Sequence, residues 1–376
     1  MVVAMEENEK ELREEALLCA MSRVLINHPA KGCLLLKEAG SPVRLLEEGA
    51  GFVDRLLKAE GAGELLFSRE MMEWGRQEAL WMRSKGVRLI SVLSDDYPAL
   101  LKECPDAPFV LYYRGRACFG NRILGIVGTR VASAYGKECV ERIVSDIAES
   151  CPGTQIVSGL ALGIDGSAHK AALEAGLETV AILPCGIDII YPSAHRDMAV
   201  RILSQGGVLT EYPRGTKPLR RNFLQRNRII AGICSALLVG ESRISGGSMS
   251  TVEYASSYNK DIFAVPGRMW DANSYGCNYL ISRNVAQICL NSSTIIKSMG
   301  WTDSYISDIK RQPSLFSVPE ETKQKLLLSL SSVKGRTSDY LCARAGMDTR
   351  EMSLALLEME IEGLVRKDVS GLWYKA

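Results

Sequence analysis

The sequence predicts an α/β protein built on an extended, doubly wound and mainly parallel sheet, and two observations carry that expectation. Five apolar runs of strand character each end in a polar, glycine-bearing turn: Arg122–Val127 before Gly128-Thr129-Arg130, Gln155–Val157 before Ser158-Gly159, Thr179–Leu183 before Pro184-Cys185-Gly186, Ala236–Val239 before Gly240-Glu241, and Ile262–Val265 before Pro266-Gly267. Segments long enough for helices alternate with these runs, at 135–150, 164–175, 196–205, 223–234, 248–259 and 275–284. Strands alternating with helices imply a parallel sheet covered on both faces.

Elements on either side complete the plan. From about residue 10 to 85, apolar spacing near three and four predicts short helices at 11–25, 31–39, 42–48, 52–58 and 68–85, with Gly40-Ser41-Pro42 ending one and starting the next. From Gly86 the period changes, and 87–93 and 109–113 read as strands. Residues 302–320, rich in Ser, Asp, Pro and Gln, read as a linker. After Glu320, helices at 323–331, 337–345 and 349–363 and a hairpin at 364–374 follow in winged-helix order. The expected recognition helix carries Glu351, Glu358, Glu360 and Glu362 against Arg350, so a protein contact suits it better than a phosphate backbone. The expected domains are therefore 1–85, 86–301 and 321–376, with the linker at 302–320.

Totals exclude several classes. The 376 residues are 47% hydrophobic and 24% charged, as in ordinary globular chains, and a net charge of +1 cannot steer the whole molecule to nucleic acid. Eleven cysteines are scattered without a Cys-x-x-Cys pair, which fits reduced, core-filling thiols and no metal framework. The acidic amino terminus lacks signal-peptide design, and no uncharged apolar stretch reaches the ~18 residues of a membrane span. A cytoplasmic location without membrane attachment is expected.

The glycine turns lack an obvious nucleophile and base, and describe a surface for holding anions. In the Gly128-Thr129-Arg130 turn, glycine permits close backbone approach, Thr129 offers a hydroxyl and Arg130 a charged fork. None of the turns fits Gly-x-Gly-x-x-Gly, which argues against a dinucleotide cofactor. Asp165 and His169, at i and i+4, share a helix face, with a helix-orienting hydrogen bond the plainer role. The stretch 214–228 has six basic residues and no acidic one, and places Arg226 and Arg228 near a helix start, where they oppose the dipole unless an anion joins them. Phe223 is either core or a platform for an unpaired base. The loop Ser245-Gly246-Gly247-Ser248-Met249-Ser250-Thr251, before Glu253, is a second phosphate cradle.

Taken together, these strings resemble the DNA processing protein A family, also called Smf, of bacterial recombination mediators. They are Val127-Gly-Thr-Arg130 with Ser133-Ala-Tyr-Gly136, Ser158–Asp165 with His169, Gly186-Ile-Asp188 with Tyr191-Pro192, Glu211-Tyr-Pro213, Phe223-x-x-Arg226-Asn227-Arg228-Ile-Ile230, Ser245–Ala255 and Ala264-Val-Pro-Gly267. Asp96-Tyr-Pro98, the helical start and the winged-helix end are also similar to the family. The usual Gly-Ser-Leu-Ile-Thr-Ala is replaced by Gly247-Ser-Met-Ser-Thr-Val252, and the late Gly-Ala pair by Asn284-Val-Ala286.

The resemblance implies a Rossmann-like DNA-binding domain between a helical domain of the SAM or helix-hairpin-helix kind and a winged helix. It also implies a protein that binds single-stranded DNA, forms a homodimer and helps load the RecA recombinase, with no catalytic residue and no cofactor. Carried over, the phosphate-holding set is Gly128, Thr129, Arg130, Lys217, Arg220, Arg221, Arg226, Asn227, Arg228, Gly247 and Ser248, with Phe223 for base contact. Two rivals stand beside it. The Gly246-Gly247-x-x-x-Thr251-x-Glu253 spacing resembles nucleoside-monophosphate phosphoribohydrolases, and an inert sheet with an acidic winged helix would make a pure adaptor.

Overall fold

In the computed structural model, which describes residues 2–301, 320–331, 335–361, 363–368 and 370–375, the chain divides into two compact units, 1–302 and 303–376. The expected linker at 302–320 lies, apart from Glu320, outside the described residues. The first unit holds helices α1 (Val2–Val24), α2 (Pro29–Ala39), α3 (Pro42–Leu57), α4 (Ala62–Leu66) and α5 (Arg69–Lys85). Then follow β1 (Arg88–Ser91), α6 (Ala99–Lys102), β2 (Val110–Gly115), β3 (Ile123–Val127), α7 (Ala134–Ser150), β4 (Gln155–Ser158), α8 (Ile164–Glu174), β5 (Thr179–Ile182), α9 (Arg196–Gln205) and β6 (Gly207–Thr210). It closes with α10 (Arg220–Ile233), β7 (Ala236–Val239), α11 (Ser248–Ser257), β8 (Asp261–Ala264), α12 (Tyr275–Ser282), β9 (Gln287–Ile288) and α13 (Ser292–Met299). Among the described residues, no helix is long and apolar enough to cross a membrane.

Nine strands form one sheet in the order β1-β2-β6-β5-β4-β3-β7-β8-β9. Strands β3 to β9 pair in parallel, while β2 runs antiparallel to both β6 and β1. The chain winds outward from β3 to β6, crosses back to β7 on the other side of β3, and continues to β9. Neighbouring residues in each strand serve opposite layers, as the period of two requires. Leu124, Ile126, Ala236 and Leu238 pack with Val140, Ile143 and Val144 of α7 and Ala168 of α8. Val127, Leu237 and Val239 pack on the other side with Ile229 and Ile230 of α10 and Val252 of α11. That second core continues without a break into Leu17 and Met21 of α1 and Leu35 and Leu36 of α2, so the helical region and the sheet are one compact unit.

Local signals account for the boundaries. Ser133 caps α7 by accepting from the Gly136 N–H at 3.1 Å, Ser41 and Pro42 open α3, and Asn291 caps α13. The two helices expected at 42–48 and 52–58 are present within α3, separated by Gly49, whose φ of 73° breaks the helix between them. Strands β6 and β9 were not expected from the sequence. β6 follows Gly206 and opens on Gly207, a pair that reads as a turn, and β9 is two residues long. The second unit has helices Glu320–Ser329, Ser338–Ala345 and Thr349–Ile361 and an antiparallel pair, Val365–Lys367 with Trp373–Lys375, packed around Leu341, Met352, Leu356 and Trp373. Asp348 and Glu351 open its third helix reciprocally: the Glu351 N–H donates to Asp348 Oδ1 at 2.7 Å and the Asp348 N–H to Glu351 Oε2 at 3.4 Å. That arrangement is a winged helix.

His169 shows how tightly the α8 layer is built. Its ring is fully buried, with Nδ1 2.7 Å from Thr179 Oγ1. The Thr179 hydroxyl already donates to the Ile156 carbonyl at 2.9 Å, so Nδ1 carries the donated proton and Nε2 is left buried without a partner. Burial, then the neighbouring His195 and Arg226, push its pKa from 6.5 down to about 3. The unfolded chain therefore binds the proton more readily, and the stability tied to neutral His169 is lost as pH falls below about 6.5. Near pH 5 the loss is about 2 kcal/mol. Urea unfolding at pH 7 and pH 5 checks it: His169→Gln should remove most of the difference between the two curves relative to the parent chain, and an unchanged difference refutes the assignment.

Candidate functional site

The connection leaving β3 enters α7 on one face of the sheet, and the connection leaving β7 enters α11 on the other. Between them the carboxyl ends of the strands open into a crevice of about 770 Å³. Doubly wound sheets present their ligand crevice where the winding reverses, and this is that position. Its walls come from the 128–130 turn, the start of α8, the first half of α10, and the 244–251 loop with the start of α11.

At the floor lies Arg226, in the middle of α10 and only 3% exposed. One guanidinium nitrogen, Nη1, donates to the Ile182 carbonyl at 2.6 Å, while Nε is buried without a partner. The guanidinium lies against the backbone of Gly159, where a Cβ would stand 1.8 Å from Nη1. Any larger residue there would displace the charge. Asp165, buried beside it at the start of α8, accepts from the N–H groups of Gly159 at 3.2 Å and Ala161 at 3.4 Å. Burial lifts the Asp165 carboxyl above its usual range, with Arg226 and those two N–H groups opposing. Burial likewise pushes Arg226 down to about 10, against the pull of Asp165 and with a further push from Arg130, so the guanidinium stays cationic at neutral pH.

Arg130, exposed at the rim, lies 4.8 Å from the centroid of the Phe223 ring, and Arg226 lies 6.0 Å from it. Tyr191 meets the same ring edge-on at 5.5 Å. The opposite wall is held by Asn227, whose Nδ2 donates to the Gly247 carbonyl at 3.2 Å and to Ser250 Oγ at 2.9 Å. Ser248 is buried, its hydroxyl 2.8 Å from that of Ser242. No side chain caps α11, and in its first turn the Met249 N–H donates to the Gly246 carbonyl at 3.0 Å.

Several sequence expectations meet in this place and others do not. Gly128, Arg130, Arg220, Phe223, Arg226, Asn227, Gly247 and Ser248 line the crevice. Lys217 and Arg221 are exposed beside it rather than in its lining. Arg228 is a correction: it is buried and bonded to the Glu211 carboxylate and the Asp106 carbonyl. Burial alone would lower its pKa, but Glu211 and Asp106 outweigh that and raise it. The helix starts at Arg220, so the first-turn arginines are Arg220 and Arg221, not Arg226 and Arg228. Gly128 is small for packing rather than for phosphate, because a Cβ there would meet Ile164 and the Glu241 carbonyl within 2.6 Å. Thr129 is outside the lining, its N–H donating to the Glu241 carbonyl at 2.7 Å and its hydroxyl oxygen accepting from the Val131 N–H at 3.3 Å. Asp165 and His169 serve separate networks.

Two participants were not legible in the sequence. Tyr191 is half-exposed at the crevice, in a string whose only local signal is Tyr-Pro. Glu241 sends its buried carboxylate to the start of α7, accepting from the Ser133 N–H at 2.8 Å and the Ser133 hydroxyl at 2.6 Å. The protein thus supplies its own anion to that helix start.

Comparison with known proteins agrees with this geometry. Residues 88–300 match the family described as DNA recombination-mediator protein A, and residues 312–368 match the DprA winged helix domain. The chain is 33% identical to Protein Smf of Synechocystis over 320 residues, covering 76% of this chain and 79% of that protein. It is 40% identical over 192 residues to DNA processing protein DprA of Streptococcus pneumoniae, covering 51% of this chain and 67% of that protein. The X-ray structure of the S. pneumoniae protein superposes with a TM-score of 0.56 at 31% identity, over 66% of this chain and 91% of that one. A structure of DNA processing protein A from Helicobacter pylori, described by its single-stranded DNA binding mode, superposes with a TM-score of 0.51 at 28% identity, over 57% of this chain and 95% of that one.

The two arginines two residues apart in α10 should separate by experiment. Glu211→Gln leaves Arg228 buried without the carboxylate it is bonded to and should lower unfolding stability by about 3 kcal/mol, read from urea denaturation. A loss below about 0.5 kcal/mol, the scale of an ordinary surface substitution, would show that Arg228 is not held by this pair.

Proposed function

The chain belongs to the DNA recombination-mediator protein A family, and on that premise we propose that the crevice at the carboxyl edge of its sheet holds single-stranded DNA by the sugar-phosphate chain. The observation that carries the proposal is Arg226: a buried, cationic guanidinium in the lining of an open crevice, with Arg130 at the rim. A fixed cation of this kind is complementary to phosphate, and Arg220 and the open start of α11 extend the same field. Phe223 and Tyr191 supply aromatic surface that unpaired bases can reach and stacked duplex cannot. Contacts to phosphate carry little sequence information, so binding is sequence-tolerant.

We assign delivery of the bound strand to the RecA recombinase as the consequence of binding, in keeping with a recombination mediator. Self-association belongs at the β9 end of the sheet, where an open edge carries exposed Ile288 and Leu290, since an uncovered edge with apolar side chains favours pairing between copies. We assign no catalytic step. The nearest candidate groups are occupied: His169 is neutral and buried, and the Ser248 hydroxyl is bonded to Ser242. Glu253, at the crevice, is the group a phosphoribohydrolase reading would use, and release of free base from a nucleoside monophosphate, abolished by Glu253→Gln, is the result that would favour that reading.

Fluorescence anisotropy with labelled single strands at several salt concentrations tests the proposal. Arg130→Ala should weaken binding equally for different sequences, and the plot of log affinity against log salt should become shallower by about 0.7, the value of one single-strand phosphate contact. An unchanged slope, or mononucleotide competing as well as the strand, would refute the placement.

A further inference from the structure

Trp270 is 92% exposed and the preceding Met269 72% exposed, both in the loop between β8 and α12. So large an apolar surface in water is unusual for a residue on a well-fixed loop. This loop is fixed. The Asp271 N–H donates to the Arg268 carbonyl at 3.1 Å, the Ser274 N–H to the Asp271 carbonyl at 3.0 Å, and the Asn273 N–H to Asp271 Oδ1 at 2.9 Å. The last bond engages Asp271 Oδ1 within the loop itself.

The loop is also tied to both rims of the crevice by a single side chain. Asn273 Nδ2 donates to the Val131 carbonyl at 3.0 Å, next to Arg130, and Asn273 Oδ1 accepts from Arg243 Nε at 3.1 Å, next to Ile244 of the opposite wall. Arg243 and Arg268 are exposed, and neither forms an ion pair with a carboxylate among the described residues. An exposed indole with Arg268 two residues before it, and with Arg243 bonded to Asn273 three residues after it, on a loop tied to both rims of the proposed phosphate-binding crevice, has the composition of a stacking platform on a single-strand path.

We propose that Trp270 stacks on a base of the single strand after it leaves the crevice, with Arg243 and Arg268 holding the flanking phosphates, which makes this loop a second contact zone. The proposal rests on the crevice binding single-stranded DNA. The aromatic face is sequence-tolerant because every base offers a π-face, and the adjacent cations favour a nucleic acid over an uncharged apolar partner.

The test uses the full chain and oligothymidylates of about 6 and about 20 nucleotides, sizes that bracket one binding patch and two. Trp270→Ala should lower affinity for the longer strand about 10-fold and leave the shorter unchanged, and Trp270→Phe should restore most of the loss. A longer strand of the same phosphate count with abasic sites in its outer part should bind the parent and Trp270→Ala chains alike. Equal affinity of the parent and Trp270→Ala chains for the intact longer strand overturns the proposal; Arg130→Ala still weakening both lengths would leave the crevice reading standing. Arg130→Ala without effect on either length would count against the crevice itself. If sedimentation velocity shows that Trp270→Ala dissociates a self-associated species at the concentrations used, the indole belongs to a contact between copies and the proposal fails.

Discussion

The structure is organised around one expensive placement, the Arg226 guanidinium in the interior of the sheet edge. Taking a cation out of water is costly, and the fold offsets that cost only in part. The Ile182 carbonyl takes one N–H, Asp165 supplies opposite charge nearby, and Gly159 withdraws its side chain to make room. The Nε–H, itself buried, has no partner in the protein. A guanidinium so placed is held rigidly, cannot swing away to satisfy itself elsewhere, and needs no reordering when an anion arrives. Most of its ordering cost has already been met by folding, which is what preorganisation means for a binding group.

That placement depends on α10 being locked in rotation, and the lock is Arg228. Residues two apart on a helix lie about 200° from each other around its axis, so Arg226 and Arg228 cannot serve the same face. Arg228 reaches away from the crevice to Glu211 and the Asp106 carbonyl, which join the helix to the end of β6 and to the segment before β2. Asn227, on a third direction, grips the Gly247 carbonyl and Ser250. Three consecutive polar residues thus fix three structural neighbours, and only one of the three leaves its charge facing an open space.

This division also explains what could and could not be read from the sequence. The alternation of apolar runs and glycine turns located the sheet and its parallel core, because strand period and turn chemistry are local properties. The run from 214 to 228 correctly marked a basic neighbourhood. It could not reveal which arginine faced the crevice, since that is set by how α10 packs on the sheet, and it placed the helix start at Phe223 rather than Arg220, so that Arg220 and Arg221 were not read as the first turn. Strand β6 was hidden for a related reason: the glycines that let it pack beside β2 are residues that locally signal a turn. Trp270 carried no periodic signal at all, and its exposure is a property of the folded loop.

The two helix starts at the crevice show why a glycine-rich turn alone does not define an anion site. Both α7 and α11 follow parallel strands and open on small residues, yet their electrostatics differ. At α7 the positive end of the helix is already matched by Glu241, whose carboxylate takes both the N–H and the hydroxyl of Ser133. A phosphate there would meet a buried negative charge. At α11 no side chain caps the helix, and Asn227 braces the loop by donating from Nδ2 to the Gly247 carbonyl. Of the two helix starts, the 247–251 side is therefore the one without a carboxylate bonded to it. On that side the neighbouring chain is Arg243, which is bonded to Asn273 of the loop that carries Trp270.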